Sequence, residues 1–270
     1  MLLCAIITVY NGEITHMKKN RIQAIVNFVN NHHYASFAEL REEFGVSNAT
    51  MRRDLTTLDE LGLIRRVHGG AKSLTMAEVH DTSMQIRKSQ NVAEKEALSK
   101  YALSLIKQGD SIIIDASTTL LPLARMIAAS NLHITVITNY LEVAEALADC
   151  ERIDLYFLGG IMKSHYYSCL GPFAEKMLKA IEVDKYFISA DSITPEAGLR
   201  NTHYDTIPLK QIGLANSKKH YAFLDHTKFN SSSFLPVCSL DEIDVLVTNK
   251  ELPDEIYNEY LNKGVNIVRV

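Results

Sequence analysis

A chain of 270 residues, 47% of them hydrophobic, can bury one small and one medium core. Its 28 Lys and Arg against 32 Asp and Glu leave a formal charge of −4, which excludes a chain that is basic throughout and shifts the question to where the charge sits. No stretch approaches the roughly 20 apolar residues that span a bilayer. Cys4, Cys150, Cys169 and Cys238 are scattered, with no C-x-x-C pair and no regular spacing to histidine, so the expectation is reduced thiols in a cytoplasmic chain without metal or cofactor.

The opening Met1–Tyr10 is apolar but has no basic region ahead of it, so it does not read as a signal peptide. Residues 1–16 are expected to be a disordered extension, with Met17 an alternative start of translation. Ile22, Ile25, Val26 and Val29 then recur at helical spacing, followed by Phe37, Leu40 and Phe44. Gly45 suits the bend after the second helix, and Ser47 suits the N-cap of a third. On that third helix Met51, Leu55 and Leu58 face inward, leaving Asn48, Thr50, Arg52 and Arg53 on or near the opposite side. Arg65 and Arg66 begin a ribbon, His68-Gly69-Gly70 forms its tip, and Lys72 continues it.

Turn, helix and glycine-tipped ribbon in this order predict a winged helix-turn-helix over residues 17–73, built to lie on double-stranded DNA. The bland alternative is a solvated charged face. The candidate contacts are Ser47, Asn48, Thr50, Arg52 and Arg53 on the helix, and Arg65, Arg66, His68, Gly69 and Lys72 on the wing. Arg can fork onto guanine, Asn can pair with adenine, Thr can meet a thymine methyl or a phosphate, and a wing touches backbone or minor groove. Between Met17 and Ser73 there are nine Lys and Arg against six Asp and Glu, so this segment is locally positive while the remainder is acidic. So modest a positive charge would gain affinity from paired half-sites in a homo-oligomer.

Residues 74–90 are polar and weakly patterned and are read as a linker, and residues 91–270 as an α/β domain for effector binding and oligomerisation. Strands are expected at 111–115, 134–138, 155–158, 186–189, 221–224 and 245–248, and helices near 93–107, 121–129, 141–148, 173–181 and 208–217. Such alternation implies a mostly parallel sheet with helices on both faces, and ligands gather at the carboxyl ends of its strands. Asp115 ends the first strand, and Ser117-Thr118-Thr119 lead directly into a helix whose N-terminal amides can take a phosphate. Thr138-Asn139, Gly159-Gly160, Asp191 and Asp225 follow four more strands, and Lys228 adds a cation. Each motif alone is weak, since Ser-Thr-Thr at a helix start is most often a cap. Five strand ends carrying hydroxyls, carboxylates and a lysine together suggest a pocket for a polyol or sugar phosphate.

Ser47-x-x-Thr50-x-Arg52-Arg53-Asp54-Leu55, followed by Arg66-Val67-His68-Gly69-Gly70-Ala71, resembles the DeoR family of bacterial transcriptional regulators. The resemblance continues through Asp115-Ala116-Ser117-Thr118-Thr119, Thr138-Asn139, Leu158-Gly159-Gly160, Asp191-Ser192-Ile193 and Leu224-Asp225-His226-Thr227-Lys228-Phe229, and so covers nearly everything from Met17 onward. It implies a sensor domain similar to sugar-phosphate isomerases, responding to a phosphorylated sugar or related metabolite. It also implies an effector surrounded by Asp115, Ser117, Thr118, Thr119, Asn139, Gly160, Asp191, Asp225 and Lys228, with Lys210 matching a further family lysine.

The sequence departs from the family in two places: Ser117 replaces the usual Gly of a Gly-Thr-Thr turn, and His203-Tyr204 stands where Asn-Glu is usual. The first would let the backbone approach a phosphate less closely, and the second, a lost carboxylate and a gained ring, would alter the pocket's shape and hydrogen bonding. The expected function is a repressor of a carbohydrate-utilisation operon, released by its effector, and not an enzyme. One alternative is isomerase or hydrolase activity in the second domain, with Asp191 or Asp225 as base and Lys228 as stabiliser. The other is a constitutive DNA-binding protein with a degenerate pocket.

Overall fold

The structure is a computed structural model describing residues 16–32, 34–60, 63–73, 84, 87–231 and 233–270. The chain divides into two compact units, residues 1–86 and 87–270. The extension expected over 1–16 lies outside the described residues except for His16, which begins a helix.

The first unit runs α1 (His16–His32), β1 (Tyr34–Ser36), α2 (Phe37–Phe44), α3 (Asn48–Glu60), β2 (Arg65–Val67) and β3 (Gly70–Lys72). Ile22, Ile25, Val26 and Val29 of α1 pack with Leu40, Met51, Leu55 and Leu58 into one core, with Phe37 and Phe44 at its margin. A capping box starts α2: the Glu39 amide donates to the Ser36 hydroxyl at 3.2 Å, and the Glu39 carboxylate accepts from the Ser36 amide at 2.8 Å. Gly45 ends α2 at φ +58°, its amide donating to the Arg41 carbonyl. The Ser47 hydroxyl then accepts the Thr50 amide at 3.2 Å and caps α3. Asp54 is buried under α3, where its carboxylate accepts from the Arg21 guanidinium at 2.8 Å. The sheet order is β1-β3-β2, all antiparallel. The outer strand β1 was not among the expected elements. A Cβ at Gly70 would stand 2.3 Å from the Ala35 carbonyl oxygen, so the pairing of β1 with β3 requires glycine there.

The second unit contains α4 (Val92–Ser104), β4 (Ser111–Ile114), α5 (Leu121–Ala128), β5 (Ile134–Thr138), α6 (Leu141–Leu147) and β6 (Ile153–Phe157). A hairpin of β7 (Ile161–Lys163) and β8 (Ser168–Leu170) follows, then α7 (Pro172–Lys179) and β9 (Val183–Ile188). The chain continues through β10 (Ser192–Thr194), β11 (Gly198–Asn201), α8 (Ile207–Ala215), β12 (Ser217–Phe223), β13 (Leu235–Cys238) and β14 (Val245–Thr248). It closes with α9 (Asp254–Asn262) and β15 (Ile267–Arg269). Seven strands form a parallel sheet ordered β15-β14-β12-β9-β4-β5-β6.

Successive side chains of a strand point to opposite faces. Ile112, Ile114 and Phe187 therefore pack with α4, α5 and α6 on one face, while Ile113, Tyr186 and Ile188 pack with α7, α8 and α9 on the other. From β4 the chain builds outward through β5 and β6, then returns to lay β9 on the other side of β4. The crevice where strand order reverses is therefore at the ends of β4 and β9, and this is where open α/β sheets place ligands.

Several differences from the sequence reading have physical causes. Strands β9 and β12 begin earlier than their apolar runs, and their opening stretches carry charges paired across the sheet: Lys218 to Asp184 at 2.8 Å, and Lys185 to Asp110. The sequence reading omitted α9, although Ile256, Tyr257 and Tyr260 mark its inner face. Of the expected linker 74–90, residues 74–83, 85 and 86 lie outside the described residues, whereas 87–89 are helical and belong to the second unit. Lys88 there pairs with Glu142, and the Arg87 carbonyl accepts from Lys95, so this stretch is packed. Among the described residues, no helix is long and apolar enough to cross a membrane.

Candidate functional site

The outward face of the first unit is built on α3. Asn48, Arg52 and Arg53 are exposed and Thr50 is half-buried, while Met51, Asp54, Leu55 and Leu58 hold the inner side. The Arg52 guanidinium lies over the Phe37 ring, 5.7 Å from its centre. Arg41 of α2 donates to the Asn48 side-chain oxygen at 3.1 Å, adding a cation that the sequence reading missed. Ser47 is committed to its cap and to a 2.9 Å hydrogen bond with the Thr50 hydroxyl.

On the wing, Arg65, Arg66 and His68 are exposed, and Gly69 turns the ribbon at φ +86°. Arg66 folds back on α3, its guanidinium donating to the Thr56 hydroxyl and its amide to Asp59, both at 2.9 Å. Lys72 is half-buried in β3, opposite Tyr34 on one side and Arg65 on the other.

In the second unit a pocket opens at the strand-order reversal. Its walls are Ala116–Thr119 after β4, Ser189–Asp191 after β9, and Asp225, Thr227 and Lys228 after β12. Arg87, Gln90, Asn91 and Lys95 close one side, and Asn201 and Lys210 the other. Asp115 lies beneath the wall: its carboxylate accepts from the Ser189 amide at 3.1 Å and from the Lys210 ammonium, and Lys210 also donates to the Ser189 carbonyl at 2.8 Å. The Asp191 carboxylate accepts the Thr202 amide at 2.8 Å. Asp225, 1% exposed, accepts from the Thr227 amide at 3.0 Å, from the Thr227 hydroxyl and from the Asn91 side chain at 3.2 Å. Asn91 adopts φ +51° at the start of α4, a left-handed conformation that asparagine tolerates better than most residues.

Lys95 is the least expected member. It is 5% exposed, and burial lowers its ammonium to about 8; Lys228 and Arg87 push the same way, against Asp225 and Glu94. The sequence did contain a signal for it: Lys95 stands three, four and seven residues before Leu98, Ser99 and Ala102, on the buried stripe of α4. A lysine on such a stripe needs a partner. Arg87, Asn91 and Asn201 were also missed, because neither strand alternation nor a local motif points to them.

Three residues expected around an effector do not line the pocket: Asp115 lies beneath its wall, and for Asn139 and Gly160 the sheet explains why. Asn139 ends β5, where its amide donates to the Cys169 carbonyl at 3.0 Å and its carbonyl accepts the Cys169 amide at 2.9 Å, pinning β8. Gly160 follows β6, where a Cβ would stand 2.7 Å from the Leu170 carbonyl oxygen. Both lie beyond β4 on the side away from the reversal point, so three strand ends converge and not five. The Ser117–Thr119 run also does not lead directly into the helix: α5 begins at Leu121, the Leu120 amide donates to the Ser117 hydroxyl at 3.2 Å, and Pro122 removes a donor from the first turn. His203 packs edge-on against Tyr166, and Tyr204 is 76% exposed, so this departure from the family pattern does not reach the pocket wall, whereas the other, Ser117, is part of it. Among the described residues, no cluster of His, Cys, Asp and Glu is placed to hold a metal ion.

With hydroxyls, amides, two carboxylates and several cations about one crevice, the arrangement can bind a small molecule that is both anionic and rich in hydroxyls. Comparison with known proteins agrees with the two-unit architecture. Residues 21–77 match the DeoR-like helix-turn-helix domain, and residues 90–250 match the DeoR C terminal sensor domain. The HTH-type transcriptional regulator GolR of Listeria innocua is 32% identical over 92% of this chain and 96% of its own. The lactose phosphotransferase system repressor of Staphylococcus aureus is 31% identical over 93% of this chain and 99% of its own. Among solved structures, ribose 5-phosphate isomerase A of Methanocaldococcus jannaschii aligns with 52% of this chain and 55% of its own, at a TM-score of 0.39 and 19% identity. The chain belongs to the DeoR family of transcriptional regulators, with a DNA-binding helix-turn-helix unit followed by a sensor unit.

Proposed function

We propose that this regulator is a cytoplasmic repressor of a carbohydrate-utilisation operon, and that a phosphorylated sugar in the second unit's pocket releases it from its operator. The observation that carries this reading is the pocket itself, which sets Arg87, Lys95 and Lys228 against a wall of hydroxyl, amide and carboxylate groups at the strand-order reversal. Cations suit a phosphate, while Asp191, Asn201 and Ser189 suit sugar hydroxyls. The name of the Staphylococcus aureus relative, a repressor of a sugar phosphotransferase system, supports the same reading.

On DNA, α3 lies in the major groove with Asn48, Thr50, Arg52 and Arg53 toward base edges and phosphates, and the wing brings Arg65, His68, Gly69 and Lys72 to the backbone. A homo-oligomer supplies paired half-sites. The sensor unit binds its ligand without turning it over: the carboxylates that an isomerase would use as bases are engaged by the protein's own donors, Asp191 by the Thr202 amide and Asp225 by Thr227 and Asn91. For the ligand to act, it must bind the DNA-free state more tightly than the DNA-bound state.

Gel shifts at fixed salt test this, using DNA from upstream of the chain's own gene and its neighbours with and without a panel of sugar phosphates. Specific binding abolished by one of the panel is expected. Specific binding that no phosphorylated compound changes would refute the effector part of the proposal.

A further inference from the structure

Helix α7 carries more apolar surface than one core needs. Ala174 and Leu178 turn into the sheet, yet Phe173 and Met177, each one position earlier, are exposed, Phe173 by 74%. A surface helix ordinarily has polar residues there. The hairpin beside it repeats the pattern, with Ile161 and Met162 of β7 exposed. A Cβ at Gly171, at the head of α7, would stand 3.5 Å from Ile161 Cδ1, so strand and helix adjoin. Tyr156 of β6 belongs to the same face. Its register partner Ile137 packs with Ala174 and Leu178, so Tyr156 points to the α7 side of the sheet, where it is 52% exposed. Among the described residues β6 is also the last strand of its sheet, with no strand along its outer edge.

The open part of these five side chains is on the order of 500 Å², toward the upper end of what monomers leave uncovered. A standard interface buries about 800 Å² on each partner, and between like subunits about two thirds of its core is apolar, so the patch has the size of the apolar part of one such contact. Its charges favour a second copy over a different partner. Asp154, two positions before Tyr156 and on the same side of β6, makes the strand flank negative, and Lys176, between Phe173 and Met177 on α7, makes the helix flank positive. Both are exposed, and neither is in an ion pair among the described residues. A patch with one acidic and one basic flank is complementary to itself after a half-turn.

We propose that this face joins two copies of the chain about a two-fold axis, with Tyr156 and Phe173 at its centre and reciprocal Asp154–Lys176 pairs at its rim. This rests on the reading of the chain as a homo-oligomer, and it adds the surface that holds the copies together. None of the five apolar residues lines the ligand pocket or belongs to the DNA-binding unit, so variants here separate assembly from recognition.

Sedimentation equilibrium on the full chain, over a dilution series at low salt, tests the proposal. The wild type should sediment as a dimer or a multiple of one. Phe173→Glu should weaken the association at least about a hundredfold and halve the mass, since the loss is felt on both copies. Asp154→Lys and Lys176→Glu should each weaken it about tenfold, because like charges then face each other twice. Mixing these two single variants in equal amounts should restore a hetero-pair of near wild-type affinity, in which both opposite-charge pairs are re-formed. A surface that had merely been damaged, or one that serves a different partner, would show no such rescue. Association that Phe173→Glu leaves unchanged, or single variants that mixing does not rescue, would overturn this surface while leaving the homo-oligomer reading intact. A wild type that is monomeric throughout the series would refute both.

Discussion

In the first unit, Arg52 and Arg53 stand outside a helix whose next turn, Met51 and Leu55, is packed; in the second, Lys95, Lys210, Asp115 and Asp225 are nearly closed off from water. The outward charges have little effect on folding and are available to a macromolecule. The inward ones survive only because each has a partner on the protein, and they stand in or just beneath the wall of one crevice. Equivalent substitutions should therefore give opposite readouts in the two units.

The largest effect is expected from Lys210→Met. It strands the Asp115 carboxylate beside the Ser189 amide and the Tyr186 hydroxyl, and should cost about 3–5 kcal/mol in the denaturation of the second unit. Adding Asp115→Asn should recover much of that loss, and a single-variant loss below about 1 kcal/mol would show that the amide and hydroxyl suffice. Asp54→Ala asks whether burial, and not the unit, decides the outcome. Removing the buried partner of Arg21 should destabilise the first unit by about 1.5–3 kcal/mol, even though it lies on the same helix as Arg52.

Arg52→Ala and Arg53→Ala should each weaken operator binding by about 1–3 kcal/mol in gel shifts at fixed salt. Their denaturation midpoints should stay within about 0.5 kcal/mol of wild type, and phosphate affinity should be unchanged. The comparison fails if either variant unfolds early or binds operator normally. The smallest effect is expected from Asn139→Ala, which should cost about 1 kcal/mol of stability by releasing Cys169 and leave ligand affinity unchanged. Measured beside Thr118→Val, expected to lose ligand affinity at constant stability, it separates the two halves of the sheet.

How much of this the sequence reveals depends on how local the determinant is. The first unit is short-range: Gly45, Ser47 and the alternation of Met51, Leu55 and Leu58 with Arg52 and Arg53 all fall within fifteen residues, so spacing alone specifies bend, cap and face. The parallel sheet is legible from apolar runs such as Ile112–Ile114, and the family motifs mark the three strand ends that meet at the pocket. Strand order is not local. Nothing in the run from Thr138 to Gly160 says that β5 and β6 lie on the side of β4 away from β9, which is why Asn139 and Gly160 were grouped with residues they do not join. Lys95 was legible in principle, as a charge on a buried stripe, but its partner Asp225 is 130 positions away in sequence.

Asn91 fastens Asp225 to the beginning of α4, and Arg87 and Gln90 stand just before it on the pocket wall. The second unit starts at Arg87, so the pocket wall begins with the first residues of that unit. On the proposed function, a ligand bound there would touch residues next to the covalent connection between reader and sensor. A few flexible residues inserted immediately ahead of Arg87 would act like slack in a cable, leaving each binding event at full strength while uncoupling one from the other.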